Sequence, residues 1–283
     1  MIVNALKNIL EKSKEARKPF VRTVLKEAIQ DYILNFIYNH NKYKKLIFTG
    51  GTCLRKVYGL PRLSEDLDFD TGEEIPAGEV AADLAGYFIH DLQYRHVETK
   101  ISTREQTIFV KFPELLYELG MVADNSDATM LFVRCDLANI TSKSLGTEIH
   151  SLSTPDFSFF VLAYDLPTLF AHKIAAFLQR DFFKGGEQTL AFKGRDVFDL
   201  VWFFERVKKT NSAFGPNWDR LREMLDLRNK SDLVDQIVSK AQNIKVSEVI
   251  FDLEPFIESE MTLRGFGDNF KAVITAGAAS FLK

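Results

Sequence analysis

The residues best placed to do chemistry lie between positions 50 and 68: Gly50-Gly51-Thr52, thirteen intervening residues, then Asp66-Leu67-Asp68. Two glycines in a turn let backbone N–H groups approach a phosphate closely, and a helix N-terminus behind the turn favours anions through its unpaired amides and dipole. Carboxylates that alternate along a strand share one face, where they repel one another until a cation lies between them. Hard oxygen donors so arranged suit magnesium bridging the phosphates of a substrate. Either half alone is commonplace, a plain turn or a solvated strand face. Together, at this spacing, Gly50, Gly51 and Thr52 read as a triphosphate cradle and Asp66 and Asp68 as its metal ligands.

The elements that must position these residues are legible around them. The apolar run Leu46-Ile47-Phe48 breaks at Gly50-Gly51, and Leu54, Val57 and Tyr58 then fall at helical spacing, so the cradle sits in a strand–turn–helix. Alternation in Asp66-Leu67-Asp68-Phe69-Asp70 predicts a second strand that buries Leu67 and Phe69; Asp70, next to Thr71-Gly72, starts the turn. If two metal ions act on a bound triphosphate, a third acid from a neighbouring strand is needed to hold the ion that lowers an acceptor hydroxyl's pKa. Asp136, at the end of the apolar strand LFVRCDL, is the best candidate, against the alternative that it simply meets solvent or pairs with Arg134.

Elsewhere, periodicity predicts helices over 20–38 and 81–92, strands over 96–102, 107–112, 130–137 and 157–164, and a short turn or helix over 113–119. After Pro167 helical spacing dominates: 168–180, 195–208, 218–226, 233–241, 246–256 and 270–281. Segments 124–127 and 183–194 read as loops, the second, FKGGEQTLAFKG, rich in glycine and lysine. The fold class is therefore α+β, a mixed sheet flanked by helices followed by a mainly helical C-terminal region. On the helix carrying Lys173, Ile174 and Phe177 face the core, and Arg180 lies two turns along the lysine's face.

GGT-x13-DLD resembles the signature of the polymerase beta-like nucleotidyltransferase superfamily. The longer string LRKVYGLPRLSEDLDFD is similar to a narrower group, the AbiEii/AbiGii-type nucleotidyltransferase toxins of bacterial toxin–antitoxin and abortive-infection systems. AHKIAAFLQR and KGRDVFDLVWF resemble that group's lysine-bearing helix and its R-D-x-x-D-L element, so the resemblance spans about residues 45–207. It implies a nucleotidyltransferase domain over 1–165 and a helical domain over 166–283 that completes the active-site cleft. It also implies metal-dependent transfer of NMP from an NTP to an acceptor hydroxyl, with release of pyrophosphate, two Mg2+ ions, the tRNA 3′ end as acceptor, and a cognate antitoxin as partner. In that reading Lys173 serves the nucleotide phosphates, and Asp196 carries functional weight, although Arg195 and Asp199 are also spaced for an i, i+4 ion pair. Arg55 and Arg62 match as phosphate contacts or as braces for the acids, Arg62 as a brace.

Composition limits the alternatives. With 283 residues, 46% of them hydrophobic, the chain can bury one large core or two. A net charge of −3 excludes a surface that attracts nucleic acid everywhere, so RNA must use a local patch. The candidate is 172–209, where Lys173, Arg180, Lys184, Lys193, Arg195, Arg206, Lys208 and Lys209 outnumber five acids. Cys53 and Cys135 are too few for a disulfide framework and lie in apolar contexts, as small buried hydrophobes. No apolar run is long enough to span a membrane and the N-terminus lacks a signal-peptide block, so the expected compartment is the cytoplasm. Two other functions fit the same motifs: transfer to a small molecule such as an aminoglycoside or to a protein side chain, and a non-catalytic nucleotide-binding interaction module.

Overall fold

The computed structural model describes residues 2–103, 106–123, 130–179, 182–184, 188–190, 192–210 and 214–282, with backbone alone at 182–184, 188–190 and 210. The chain divides into two compact units, Met1–Thr141 with Thr147–Ala163, and Ser142–Gly146 with Tyr164–Lys283.

The first unit begins with α1 (Ile2–Lys12) and α2 (Lys18–Asn39). Proline in the first turn of α2 presets the helical φ, and Val21, Leu25, Ile29, Ile33 and Ile37 bury one stripe at i, i+4 spacing. The hydroxyl of Tyr38 donates to the Leu46 and Leu162 carbonyls at 3.0 and 3.1 Å, anchoring the end of α2 to two segments of the sheet. Then follow β1 (Ile47–Thr49), α3 (Gly50–Tyr58), β2 (Leu67–Thr71), α4 (Ala77–Gly86) and a π turn at Tyr87–Asp91. The unit is completed by β3 (Glu98–Ile101), β4 (Thr107–Phe112), α5 (Leu115–Glu118), β5 (Leu131–Asn139), β6 (Thr147–Ser153) and β7 (Ser158–Tyr164).

Seven strands form one mixed sheet in the order β3-β4-β5-β2-β1-β7-β6. β2 runs parallel to β5 and antiparallel to β1, which is itself parallel to β7. Centrality follows from composition: Phe48, Leu67, Phe69, Val133, Cys135, Val161 and Ala163 are all buried along β1, β2, β5 and β7.

Three elements depart from the sequence reading here, the first being α1, which no predicted helix covers. β6, unanticipated, is TEIHSLS, mostly exposed, and lies at the sheet edge, so no apolar alternation marks it. Asp70 does not start a turn. β2 continues through Thr71, with Asp70 opposite Ile47 and Ala138 and 6% exposed, because neighbours on both sides carry the ladder further than the local Thr-Gly signal suggests.

The second unit holds α6 (Leu166–Gln179), a hairpin of β8 (Phe182–Lys184) and β9 (Gln188–Leu190), α7 (Gly194–Thr210), α8 (Trp218–Met224), α9 (Lys230–Asn243), α10 (Val246–Leu253) and α11 (Glu260–Ala279). Its core explains part of the heavy use of phenylalanine. Phe170 stacks on Phe203 with centroids 4.5 Å apart, and Phe204, Phe214 and Phe281 surround the pair. The helix starts at Asn217, Asn229 and Ser259 are capped by those side chains, which accept from the amides of Arg220, Asp232 and Thr262. The stretch expected as a loop at 183–194 instead holds the β8–β9 pairing, with Phe182 opposite Leu190. Short runs on either side of Gly185-Gly186 pair antiparallel, which a count of glycine and lysine overlooks. Segment 124–127 lies outside the described residues. Among the described residues no helix is long and apolar enough to cross a membrane.

Candidate active site

In the first unit, strand register brings the acids together. Asp68 of β2 is opposite Asp136 of the parallel β5 and opposite Thr49 of β1. Opposed residues of adjacent strands point to the same face, so acids 68 positions apart in sequence become neighbours. Along β5 the odd positions Leu131, Val133, Cys135 and Leu137 are buried, which leaves Arg134 and Asp136 on the other face. Leu67 opposes Cys135, so the same register carries Asp66, one residue before β2, toward Arg134.

Gly50 is required twice. Its φ of +77° is left-handed, and a Cβ there would lie 2.0 Å from Asp68 Oδ2 and 2.8 Å from Asp68 Cγ. The Asp68 carboxylate thus rests against bare backbone at the start of α3. Gly51 is nearly as confined, since a Cβ would meet Arg62 Nη2 at 2.9 Å and Ser64 Oγ at 3.0 Å. Arg62 is 3% exposed and donates from Nη1 to the Leu63 carbonyl at 2.8 Å, bracing the segment that leads into the acids. The Thr52 side chain is fully buried and donates its hydroxyl to the Asp66 carbonyl, fixing the backbone that carries that acid. The preceding residue, Thr49, makes no side-chain cap on α3.

Asp136 is firmly held. The Thr107 hydroxyl donates to Oδ1 at 2.6 Å, and Arg134 donates from Nε to Oδ1 at 3.0 Å while Nη2 lies 2.7 Å from Oδ2. Partial burial pulls the Arg134 pKa down, but Asp136, Asp66 and Asp68 outweigh it and hold the guanidinium above its ordinary value. Asp136 does not end its strand, since pairing with β2 carries β5 on to Asn139, and the Arg134 pairing that was weighed against a metal role is present. Cys135, buried beneath this face, has its thiol pushed upward by burial and by the same three acids, and both Cys135 and Cys53 are free and buried. A thiol so placed stays protonated and does not act as a nucleophile.

The donor set suits a hard divalent cation. Asp66, Asp68 and Asp136 offer only carboxylate oxygens, and their combined field already retains one cationic group, Arg134. Arg55, by contrast, ties α3 to α2: Nε is 2.9 Å and Nη2 3.5 Å from the Glu27 carboxylate, and Nη1 donates to the Leu60 carbonyl at 3.3 Å.

In the second unit, Lys173 of α6 is 9% exposed, with Nζ 2.7 Å from Asp199 and 4.0 Å from Asp196, both on α7 and almost wholly buried. The R-D-x-x-D-L element therefore supplies two carboxylates to one lysine. Arg195 is held instead at Asp252, whose Oδ2 accepts from the Arg195 amide at 3.1 Å, and its guanidinium lies 4.4 Å over the Phe256 ring. Lys173 is thus no part of a surface patch, whereas Lys208 and Lys209 are exposed at the end of α7. Arg180 lies outside the described residues. Next to Lys173, His172 accepts from Arg220 Nε at 3.1 Å, and burial, with the charges of Arg220 and Lys173, lowers its pKa to about 4.

Sequence reasoning named the acids and the glycine pair that the fold brings together, but overlooked Thr107. That residue opens an ordinary strand, and only the pairing of Thr107 with Asp136 across β4 and β5 reveals its role.

A glycine turn on a strand–helix junction, with acids on two adjacent strands of a mixed sheet, defines a nucleotidyltransferase. The chain belongs to a particular family of them, the nucleotidyl transferase AbiEii toxins of type IV toxin–antitoxin systems, which it matches over residues 33–272. Comparison with curated proteins gives no significant match. Among solved structures the chain is similar in fold to MenT4, a nucleotidyltransferase toxin from Mycobacterium tuberculosis, with a TM-score of 0.59 at 15% identity, covering 98% of this chain and 89% of that one. JHP933 from Helicobacter pylori has a TM-score of 0.48 at 16% identity, covering 92% of this chain and 91% of its own.

Proposed function

We propose that this toxin transfers a nucleoside monophosphate from an NTP to the 3′-terminal hydroxyl of tRNA, releasing pyrophosphate, with divalent metal held by Asp66, Asp68 and Asp136. The observation that carries the reading is the register of Asp68 with Asp136 beside a Gly50 whose missing side chain makes room for Asp68 Oδ2. Bound metal would supply positive charge to the triphosphate and lower the pKa of the acceptor hydroxyl. The protein's own part is positioning and fixed charge, with no covalent enzyme intermediate.

Amides at the start of α3, opened by Gly50 and Gly51 and uncapped by Thr49, would donate to the β- and γ-phosphates. Thr52 contributes through its amide, since its hydroxyl holds the Asp66 carbonyl. Thr107 and Arg134 keep Asp136 in one orientation, so that acid does not have to be ordered during the reaction. Lys173 is assigned the charge that builds on the departing pyrophosphate, and Asp199 and Asp196 fix its ammonium. Arg206 over Trp202, at 5.1 Å, and the exposed Lys208 and Lys209 suit an RNA backbone.

The test is incubation with total RNA and each α-labelled NTP in magnesium, alongside Asp68→Asn and Asp136→Asn. Label on a tRNA-sized band that both substitutions remove supports the reading. Label on a small molecule or a protein, or label that survives both substitutions, refutes it.

A further inference from the structure

Away from these acids, the first unit gathers His96, Glu114 and Glu118, whose donor atoms all lie within 4.8 Å of one another. His96 precedes β3, Glu114 precedes the single turn α5 and Glu118 ends it, so the cluster lies just beyond the end of the β3–β4 ladder, where Glu98 pairs with Lys111. His96 Nδ1 is 2.7 Å from Glu114 Oε2 and 2.9 Å from Glu118 Oε1. One nitrogen thus faces two carboxylate oxygens at ion-pair distance, and an ion with ligands about 2.1 Å away would need these separations to widen by only about half an ångström.

A second observation separates this group from a surface ion pair. Tyr94, 5% exposed, sets its ring edge-on to His96 with centroids 6.0 Å apart and turns its hydroxyl toward the Glu118 and Glu114 carboxylates. That hydroxyl interacts with the Glu118 carboxylate without reaching good hydrogen-bond geometry, and the buried second oxygen of Glu118, Oε2, has no better partner among the described residues. Leaving two buried polar atoms unmatched side by side is costly, whereas a ligating carboxylate needs such an outer partner to fix its orientation.

We propose that His96, Glu114 and Glu118 form a second metal site, for a borderline divalent ion of the Zn2+ class, with Tyr94 orienting Glu118 behind it. The imidazole ligand sets it apart from the all-carboxylate group, which suits magnesium. With Glu118 Oε1 on the ion, a small rotation brings Oε2 to the Tyr94 hydroxyl and satisfies both orphans. His96 and Glu114 keep half-exposed side chains, leaving the remaining coordination positions to water. The ion would clasp α5 to the entry of edge strand β3 and stabilise that end of the sheet.

Calorimetric titration of ZnCl2 into chelator-stripped full-length protein tests this, in a background of Asp66→Asn, Asp68→Asn and Asp136→Asn that silences the other acids. Saturable binding of one equivalent with a rise in Tm is expected. His96→Ala and Glu114→Gln should abolish it, and Tyr94→Phe should weaken it by about 10-fold. No saturable binding in the triple variant overturns the proposal, as does binding that His96→Ala leaves unchanged. Circular dichroism of each variant excludes misfolding, and His96 is exposed enough that its replacement should leave the fold intact.

Discussion

Gly50→Ala separates a positioning defect from a stability defect because the chain contains its own control. Gly50 and Gly59, at either end of α3, have φ of +77° and +78°, so alanine at either site incurs the same left-handed strain of about 1–2 kcal/mol. At Gly59 a Cβ meets nothing within 4 Å, whereas at Gly50 it lies 2.0 Å from Asp68 Oδ2, where real Cβ contacts essentially never fall under 3.0 Å. The carboxylate must therefore retreat by about 1 Å, a misplacement that costs on the order of 100-fold in rate, or about 2.7 kcal/mol of transition-state stabilisation. Both variants should lose similar stability in urea melts, and only Gly50→Ala should lose two orders of magnitude in kcat/KM for nucleotidyl transfer. Gly50→Ala within a few-fold of Gly59→Ala in activity would show that Asp68 is not held at the reacting geometry.

Thr107→Val removes the 2.6 Å bond to Asp136 and should lower kcat about 10-fold with little change in KM for the nucleotide, by steady-state kinetics; an unchanged kcat would mean Asp136 needs no such brace. Lys173→Met strips a buried ammonium from Asp199 and Asp196 and should destabilise the protein by about 3–5 kcal/mol in chemical denaturation, with Lys173→Met/Asp199→Asn recovering part of it; a loss under about 1 kcal/mol would contradict the buried pairing. His172 titrates near 6.5 when unfolded and near 4 when folded, so the unfolded chain takes up a proton that the native protein refuses. Its stabilisation is complete above pH 6.5 and is lost as pH falls toward 4, by up to about 3 kcal/mol, and His172→Gln should flatten melts compared between pH 7 and pH 5.

What the sequence disclosed and what it hid divide along a physical line. The placement of Gly50-Gly51 and Asp66-Leu67-Asp68 was legible because it depends on local spacing, which a turn and a strand convert directly into geometry. Asp136 was singled out for a weaker reason, as an acid expected to end an apolar strand that in fact runs on to Asn139. Only register could establish that it faces Asp68, since a one-residue slip would have put it on the opposite face. Thr107 was hidden as a support because its role is a relation to Asp136 across strands that its residue type does not signal, whereas the pairing of Arg134 with Asp136 was legible as the alternative to a metal role. Among helices the same division holds. The stripe of α2 was read from its period, but the i, i+4 spacing of Arg195 and Asp199 pointed to a pair within α7, while the fold sends Asp199 to Lys173 and Arg195 to Asp252. A spacing rule concerns the isolated helix and is worth a few tenths of a kcal/mol, whereas desolvation of Asp199 demands a partner at a cost several times larger. Burial therefore decides which ion pair forms, and burial is a property of the assembled unit that no single helix carries in its sequence.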